Sequence, residues 1–214
     1  MIKKIALILA LLLFSSNSFA SDDLLLRKNI IIIFDDSGSM RVKAKNKKSR
    51  LSRAKESTIK FVSHLPNNYN LGFYGLNHGY KFPLQAVDEK SLKQITKIIS
   101  TMRAKGSTPI AKAINKMVNK MQKQKSIQAG YGTYTIVIAT DGAANKQNEM
   151  LRAVDKAIDE GIEIKTIGID IGSHTLKSVT NFTEASSVEQ LVEAMKKAIN
   201  SEISLDNEFL LQDF

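Results

Sequence analysis

The chain has no cysteine and no tryptophan, and among its 214 residues only three are proline and three histidine. Without cysteine there are no disulfides, no thiolate metal ligands and no thiol nucleophile, so the core must hold the fold. His64, His78 and His174 lie far apart and form no ligand pair; each reads as a solvated side chain. Neither a Walker A loop nor a G-x-G-x-x-G fingerprint occurs, which removes the commonest phosphate-cradling loops. Acid is also scarce: 21 Asp and Glu stand against 31 Lys and Arg, a formal charge of +10. Such an excess favours anionic partners without naming one.

Long apolar runs are few, and one of them opens the chain. Lys3 and Lys4 precede an apolar stretch from Ile5 to Phe14, and Ser18-Phe19-Ala20 forms a small-residue cleavage site. That is the pattern of a secretory signal peptide over residues 1–20, too short in its apolar part to span a bilayer. Removal takes away Lys3 and Lys4 and lowers the formal charge from +10 to +8. No cysteine is present at the cleavage site to carry a lipid. Residues 21–28 then read as a short leader, 29–200 as one domain, and 201–214 as an acidic, apolar tail.

The other apolar run is Ile30–Phe34, IIIIF, which lacks any alternation and is rich in β-branching. It reads as a strand buried on both faces. The run stops abruptly at Asp35-Asp36-Ser37-Gly38-Ser39, where short polar side chains and a glycine allow a sharp turn. Asp35, Ser37 and Ser39 offer one carboxylate and two hydroxyls, an oxygen set suited to hard cations. An Asx-turn capping a helix would use the same residues. Asp36 reads as local turn bonding or solvent exposure. The following stretch, Arg41–Lys48, has five basic residues and no acid. It reads as a solvated loop bordering the turn.

Further along, apolar spacing predicts a helix over 50–65, stopped by Pro66. Strands follow at 71–76 and 80–85, joined by the Asn77-His78-Gly79 turn, with Pro83 marking the second as a sheet edge. A helix is expected over 91–102. The next should start with Thr108 as its N-cap and Pro109 as its first residue, and run to about Met121. Its methionines read as core. A polar loop is expected over 120–132 and a buried strand over 133–140, ending in Asp141-Gly142. A helix (149–160), a strand (162–169), a doubtful short strand near Phe182 and a helix (188–199) complete the pattern. Asp170 ends a strand on the same rim and reads either as exposed or as standing behind the oxygen-bearing residues.

Strands alternating with helices give an α/β fold, doubly wound, with a mostly parallel central sheet, one antiparallel edge strand and helices on both faces. Ligands of such sheets bind beyond the carboxyl ends of the strands. Asp35, Thr108 and Asp141, distant in sequence, should converge there.

Phe34–Met40 (FDDSGSM), Gly106–Ile110 (GSTPI) and Ile138–Gly142 (IATDG) together resemble a von Willebrand factor type A domain with its metal-ion-dependent adhesion site. The resemblance covers about Asn29 to Ile199. It implies that Ser37, Ser39 and Thr108 coordinate a divalent cation through hydroxyls, with Asp35 and Asp141 acting directly or through water. Mg2+ is the expected ion, with Mn2+ or Ca2+ as alternatives. It implies also a protein partner whose Asp or Glu carboxylate completes the metal shell, with Arg41–Lys48 adding attraction for an acidic partner. The chain then reads as an exported binding module, periplasmic or secreted, and not as an enzyme; no catalytic residue is assigned.

Two other functions stand as alternatives. A Mg2+-dependent phosphatase also places an Asp after an apolar strand, but it needs an acid two residues later, where this chain has Ser37. The second alternative is binding of nucleic acid or an anionic surface through a basic face made of the Arg41–Lys48 loop with Lys112, Lys116, Lys120, Lys123 and Lys125. That reading lacks interleaved aromatic residues.

Overall fold

The computed structural model describes residues 24–43, 48–142, 145–171 and 175–200. The proposed signal peptide, part of the leader, the middle of the basic loop, His174 and the tail over 201–214 lie outside the described residues.

Six strands form one sheet in the order β3-β2-β1-β4-β5-β6. They are β1 (Lys28–Phe34), β2 (Tyr69–Gly75), β3 (Gly79–Ala86), β4 (Tyr134–Thr140), β5 (Glu163–Ile169) and β6 (Asn181–Ala185). Every pairing is parallel except β2 with β3, which closes one edge as an antiparallel hairpin. The helices are α1 (Arg50–Val62), α2 (Glu89–Thr101), α3 (Ile110–Ile127), α4 (Gln147–Asp159) and α5 (Val188–Asn200).

The isoleucine run explains why β1 is central. Ile30, Ile32 and Phe34 point into one core with Phe61 of α1, Ile95 and Ile99 of α2 and Leu191 of α5. Ile31 and Ile33 point into the other with Ile114 and Met117 of α3 and Val154 of α4. Period-two alternation thus serves two apolar faces at once, and each buried Ile contributes about 2 kcal/mol. Met117 and Met121 are core residues, as their spacing implied.

Two helix ends differ most from the sequence expectation. Helix α1 stops at Val62, because the Ser63 hydroxyl donates to Lys60 O (2.9 Å) and His64 Nδ1 lies 2.7 Å from the same oxygen. Leu65 is nevertheless buried beyond the helix end. Helix α3 continues to Ile127, so most of 120–132 is helix and not loop. Its apolar stripe ends at Met121, yet Gln, Lys and Ser sustain the helix to Ile127, before Ala129 and Gly130 turn the chain with positive φ. Lys125 Nζ anchors that extension on Glu160 O at 2.9 Å. The doubtful sixth strand is real, parallel to β5 from Lys165↔Asn181 to Ile169↔Ala185.

Sheet order grows outward from β1 in both directions, so the topological switch lies between β1 and β4. The crevice beyond their carboxyl ends is where doubly wound sheets bind ligands. Asp35 follows β1 and Asp141 follows β4.

Candidate functional site

Beyond Phe34 the ladder continues for one bond, Asp35 N donating to Ala139 O at 2.9 Å. The backbone then turns into a short 3-10 helix over Gly38–Arg41. Gly38 has no left-handed φ, and a Cβ there would meet Gly106 O at an ordinary 3.5 Å. Its value is closeness: Gly38 N donates to Gly106 O at 3.1 Å, which ties this turn to the loop before α3.

Four of the expected oxygen donors are joined directly. Ser37 Oγ lies 3.0 Å from Ser39 Oγ, and Ser39 Oγ donates to Asp141 Oδ1 at 2.7 Å. Asp35 Oδ1 accepts from Ser37 N at 2.8 Å, and its Oδ2 accepts from Thr140 Oγ1 at 2.6 Å. Asp35 and Asp141 are buried. Burial raises the Asp35 carboxyl above its ordinary pKa, against the lowering effect of bonds from Thr140 and Ser37; nearby Asp141 raises it further. Among the described residues, no group of three or more His, Cys, Asp and Glu gathers as a metal cage. Any cation here would meet a shell in which hydroxyls outnumber acids.

Thr108 stands differently from its expected role. Helix α3 begins at Ile110, and Pro109 fills the cap position without a side-chain bond. Pro109 has no N–H, so the chain turns through Ile110 N donating to Thr108 O at 2.9 Å. Thr108 N donates to Asn145 Oδ1 at 3.3 Å, and Asn145 N returns to Thr108 O at 3.3 Å. No hydrogen bond among the described residues engages the Thr108 hydroxyl. Gly106 holds this loop against the Ser37 turn, and Asn145 holds it against the loop after β4. The three segments that carry the five residues are therefore adjacent.

Sequence reasoning missed a pair of arginines. Arg50, first residue of α1, donates from Nη1 to Asp141 Oδ2 at 2.9 Å and from Nε to Asp170 Oδ2 at 3.4 Å. Arg53, one turn on and 1% exposed, donates to both Asp170 oxygens and to Ser186 O. Asp170 is therefore bridged, not simply exposed. The hydrogen bond from Arg53 holds its carboxyl below the usual range, partial burial opposes this, and Arg50 lowers it further. A signal was present: two cations in the first turn of a helix oppose its dipole and call for nearby acids.

Asp36 also departs from expectation. It is fully buried, and its Oδ1 accepts from Asn77 N at 2.7 Å and Asn77 Nδ2 at 3.2 Å. Its Oδ2 meets His78 Nδ1, so His78 is not merely a solvated hairpin tip. Asp36 O accepts from Lys105 N at 2.7 Å. The residue fastens the β2–β3 turn and the loop before α3 to the end of β1. Arg41, from the basic stretch, donates to Ala104 O at 2.8 Å from Nη2.

The family model for the von Willebrand factor type A domain matches residues 29–204. The pilus adhesin SpaC from Lactobacillus rhamnosus GG superposes with a TM-score of 0.64 at 15% identity, over 80% of this chain and 30% of that one. Proximal thread matrix protein 1 from the mussel byssus, solved with a zinc-occupied MIDAS motif, gives 0.61 at 21% identity, over 82% and 48%. Manganese-loaded TRAP protein of Plasmodium vivax gives 0.57 at 14% identity, over 82% and 74%. The chain thus spans less than half of the adhesin and of the mussel protein. No curated protein matches the sequence. A mostly parallel six-stranded sheet, a switch crevice rimmed by Asp35 and Asp141, and the family match over residues 29–204 all agree: the chain belongs to the von Willebrand factor type A domain family.

Proposed function

We propose that this protein is an exported, metal-dependent protein-binding module of the adhesion or assembly type. Asp35, Ser37, Ser39, Thr108 and Asp141 would hold one divalent cation, Mg2+ first, with Mn2+ or Ca2+ as substitutes. The observation that carries the reading is the continuous run of oxygens Ser37–Ser39–Asp141 beside buried Asp35. Hydroxyl-rich donor sets of this kind suit a hard cation that keeps waters in its shell. When bound, the ion supplies an electrophilic position that an Asp or Glu carboxylate of a partner can fill. The chain's own residues do the positioning: Thr140 and Ser37 orient Asp35, and Arg50 fixes one oxygen of Asp141 while Ser39 takes the other.

Support comes also from the similar folds, whose printed descriptions include a pilus adhesin, a zinc-occupied MIDAS motif and a manganese-loaded protein. Export rests on the signal-peptide pattern of residues 1–20. No described helix is long and apolar enough to cross a membrane. Basic residues in Arg41–Lys48 would favour an acidic partner by steering its approach.

Isothermal titration with MgCl2 and MnCl2 tests the cation, and pull-down from the native envelope fraction tests the partner. The expected result is saturable cation binding that Asp35→Ala abolishes, and partner capture that EDTA and Asp35→Ala both remove. Capture unchanged under both would overturn the reading.

A further inference from the structure

Outside the oxygen cluster, α3 carries five lysines and no acid over Ile110–Ile127. Lys112, Lys116, Lys120 and Lys123 are exposed, and among the described residues none is paired with a carboxylate. Lys125 is already spent on Glu160 O, so it does not belong to the row. At about 1.5 Å per residue the four ammonium groups span roughly 16 Å, with steps of about 6 Å from Lys112 to Lys116 and to Lys120. Beside the row, Tyr80 and Leu84 of the edge strand β3 are only half-buried. The result is a groove of about 740 Å3, lined by Tyr74, Tyr80, Lys116, Met117, Lys120 and Lys123, among others.

Tyr74 and Tyr80 are cross-strand partners in the hairpin. Lys116 Nζ stands 5.9 Å from the Tyr74 ring centroid, and Lys120 Nζ stands 5.5 Å from that of Tyr80. Each ring thereby braces an ammonium group in place, by a cation–π contact. Bracing lowers the entropy lost when the lysine meets an anion.

We propose that this groove is a second binding site, independent of metal, for an extended acidic segment of a partner protein. In an extended chain, alternate side chains fall on one side about 6.7 Å apart, which matches the lysine step of about 6 Å. A segment with acids at alternate positions sets two of them against Lys116 and Lys120, with Lys123 close by at the end of the groove. The ring faces that nucleic-acid bases or sugars would need for stacking are taken by the protein's own ammonium groups. That geometry favours a polypeptide over an oligonucleotide or a polysaccharide.

The test uses the full chain in EDTA, which takes the proposed cation site out of the experiment. Fluorescence anisotropy follows a labelled decapeptide of alternating Asp and Ser. Lys116→Glu with Lys120→Glu should weaken binding about tenfold, since two ion pairs become repulsions. Lys93→Glu with Lys97→Glu on α2 should change it by less than about twofold. Lys123→Glu, which touches no ring, keeps the test open if the double variant fails to fold, and should weaken binding about threefold. A peptide with the same five Asp in one block should bind more weakly than the alternating one. Equal binding by the lysine variants, equal binding of the block peptide, or tighter binding of a single-stranded oligonucleotide or sulfated oligosaccharide would overturn the proposal.

Discussion

Asp36 shows how one carboxylate fixes several segments. It is buried beside the end of β1 and receives Asn77 N, Asn77 Nδ2 and His78 Nδ1 from a turn about forty positions on. Asp36→Ala leaves those donors without an acceptor, and a loss of about 3 kcal/mol is expected in urea unfolding. Asp36→Asn keeps an oxygen for Asn77 and should lose less. Gly106 is a second such point. Its φ of +68° is left-handed, and a Cβ there would collide with the Asn77 side chain. Gly106→Ala should cost about 1–3 kcal/mol and weaken cation binding too, because Gly106 O receives Gly38 N. Cation titration with and without this change measures that link.

Among elements, α1 and the end of α3 do the joining. Arg50 and Arg53 reach from the first turn of α1 to Asp141, Asp170 and Ser186, so they link β4, β5 and the approach to α5. Asp170 has a depressed pKa, so its contribution is present above its unfolded value near 4 and is lost as pH falls through the lower folded value. The urea midpoint of the native protein should therefore fall more steeply below about pH 4 than that of Asp170→Asn. At the far end of α3, Gln128 is fully buried and donates from Nε2 to Leu24 O, Leu25 O and Arg27 O. Its Oε1 accepts from Asn29 Nδ2 at 2.6 Å, and Asn29 Oδ1 accepts from Asn70 Nδ2 at 2.8 Å. Gln128→Ala orphans this amide chain and should destabilise by about 2 kcal/mol, with amide exchange faster over 24–29.

For the whole molecule, a cation held only by the folded state must stabilise it. At about a hundred times its dissociation constant, a ligand adds about 2.7 kcal/mol, which for a domain of this size raises Tm by roughly 5–10 °C. Scanning calorimetry should show that rise with MgCl2, its reversal by EDTA, and its absence in Asp35→Ala. No shift in the native protein would remove the metal reading while leaving the fold assignment intact. The lysine groove, lying on the α3 face, would be unaffected by that outcome.

The family resemblance implied the five-residue cation set; the sequence by itself determined the two-faced central strand, the antiparallel edge hairpin and the acids at the ends of β1 and β4. These follow from local rules: unbroken β-branching, a proline in an edge strand, and short polar groups where apolar runs stop. Helix ends were less legible, since Lys, Gln and Ser carried α3 past its last apolar residue and Pro109 moved its start by one position. The tertiary structure alone decided the partners of Asp36, Asp170 and Gln128. Their hydrogen bonds cross between roughly forty and more than a hundred positions of chain, a distance over which no periodicity or cap speaks. It decided also that Lys116 and Lys120 stand over Tyr74 and Tyr80, because only strand pairing and helix packing bring a hairpin's rings beneath another element's ammonium groups.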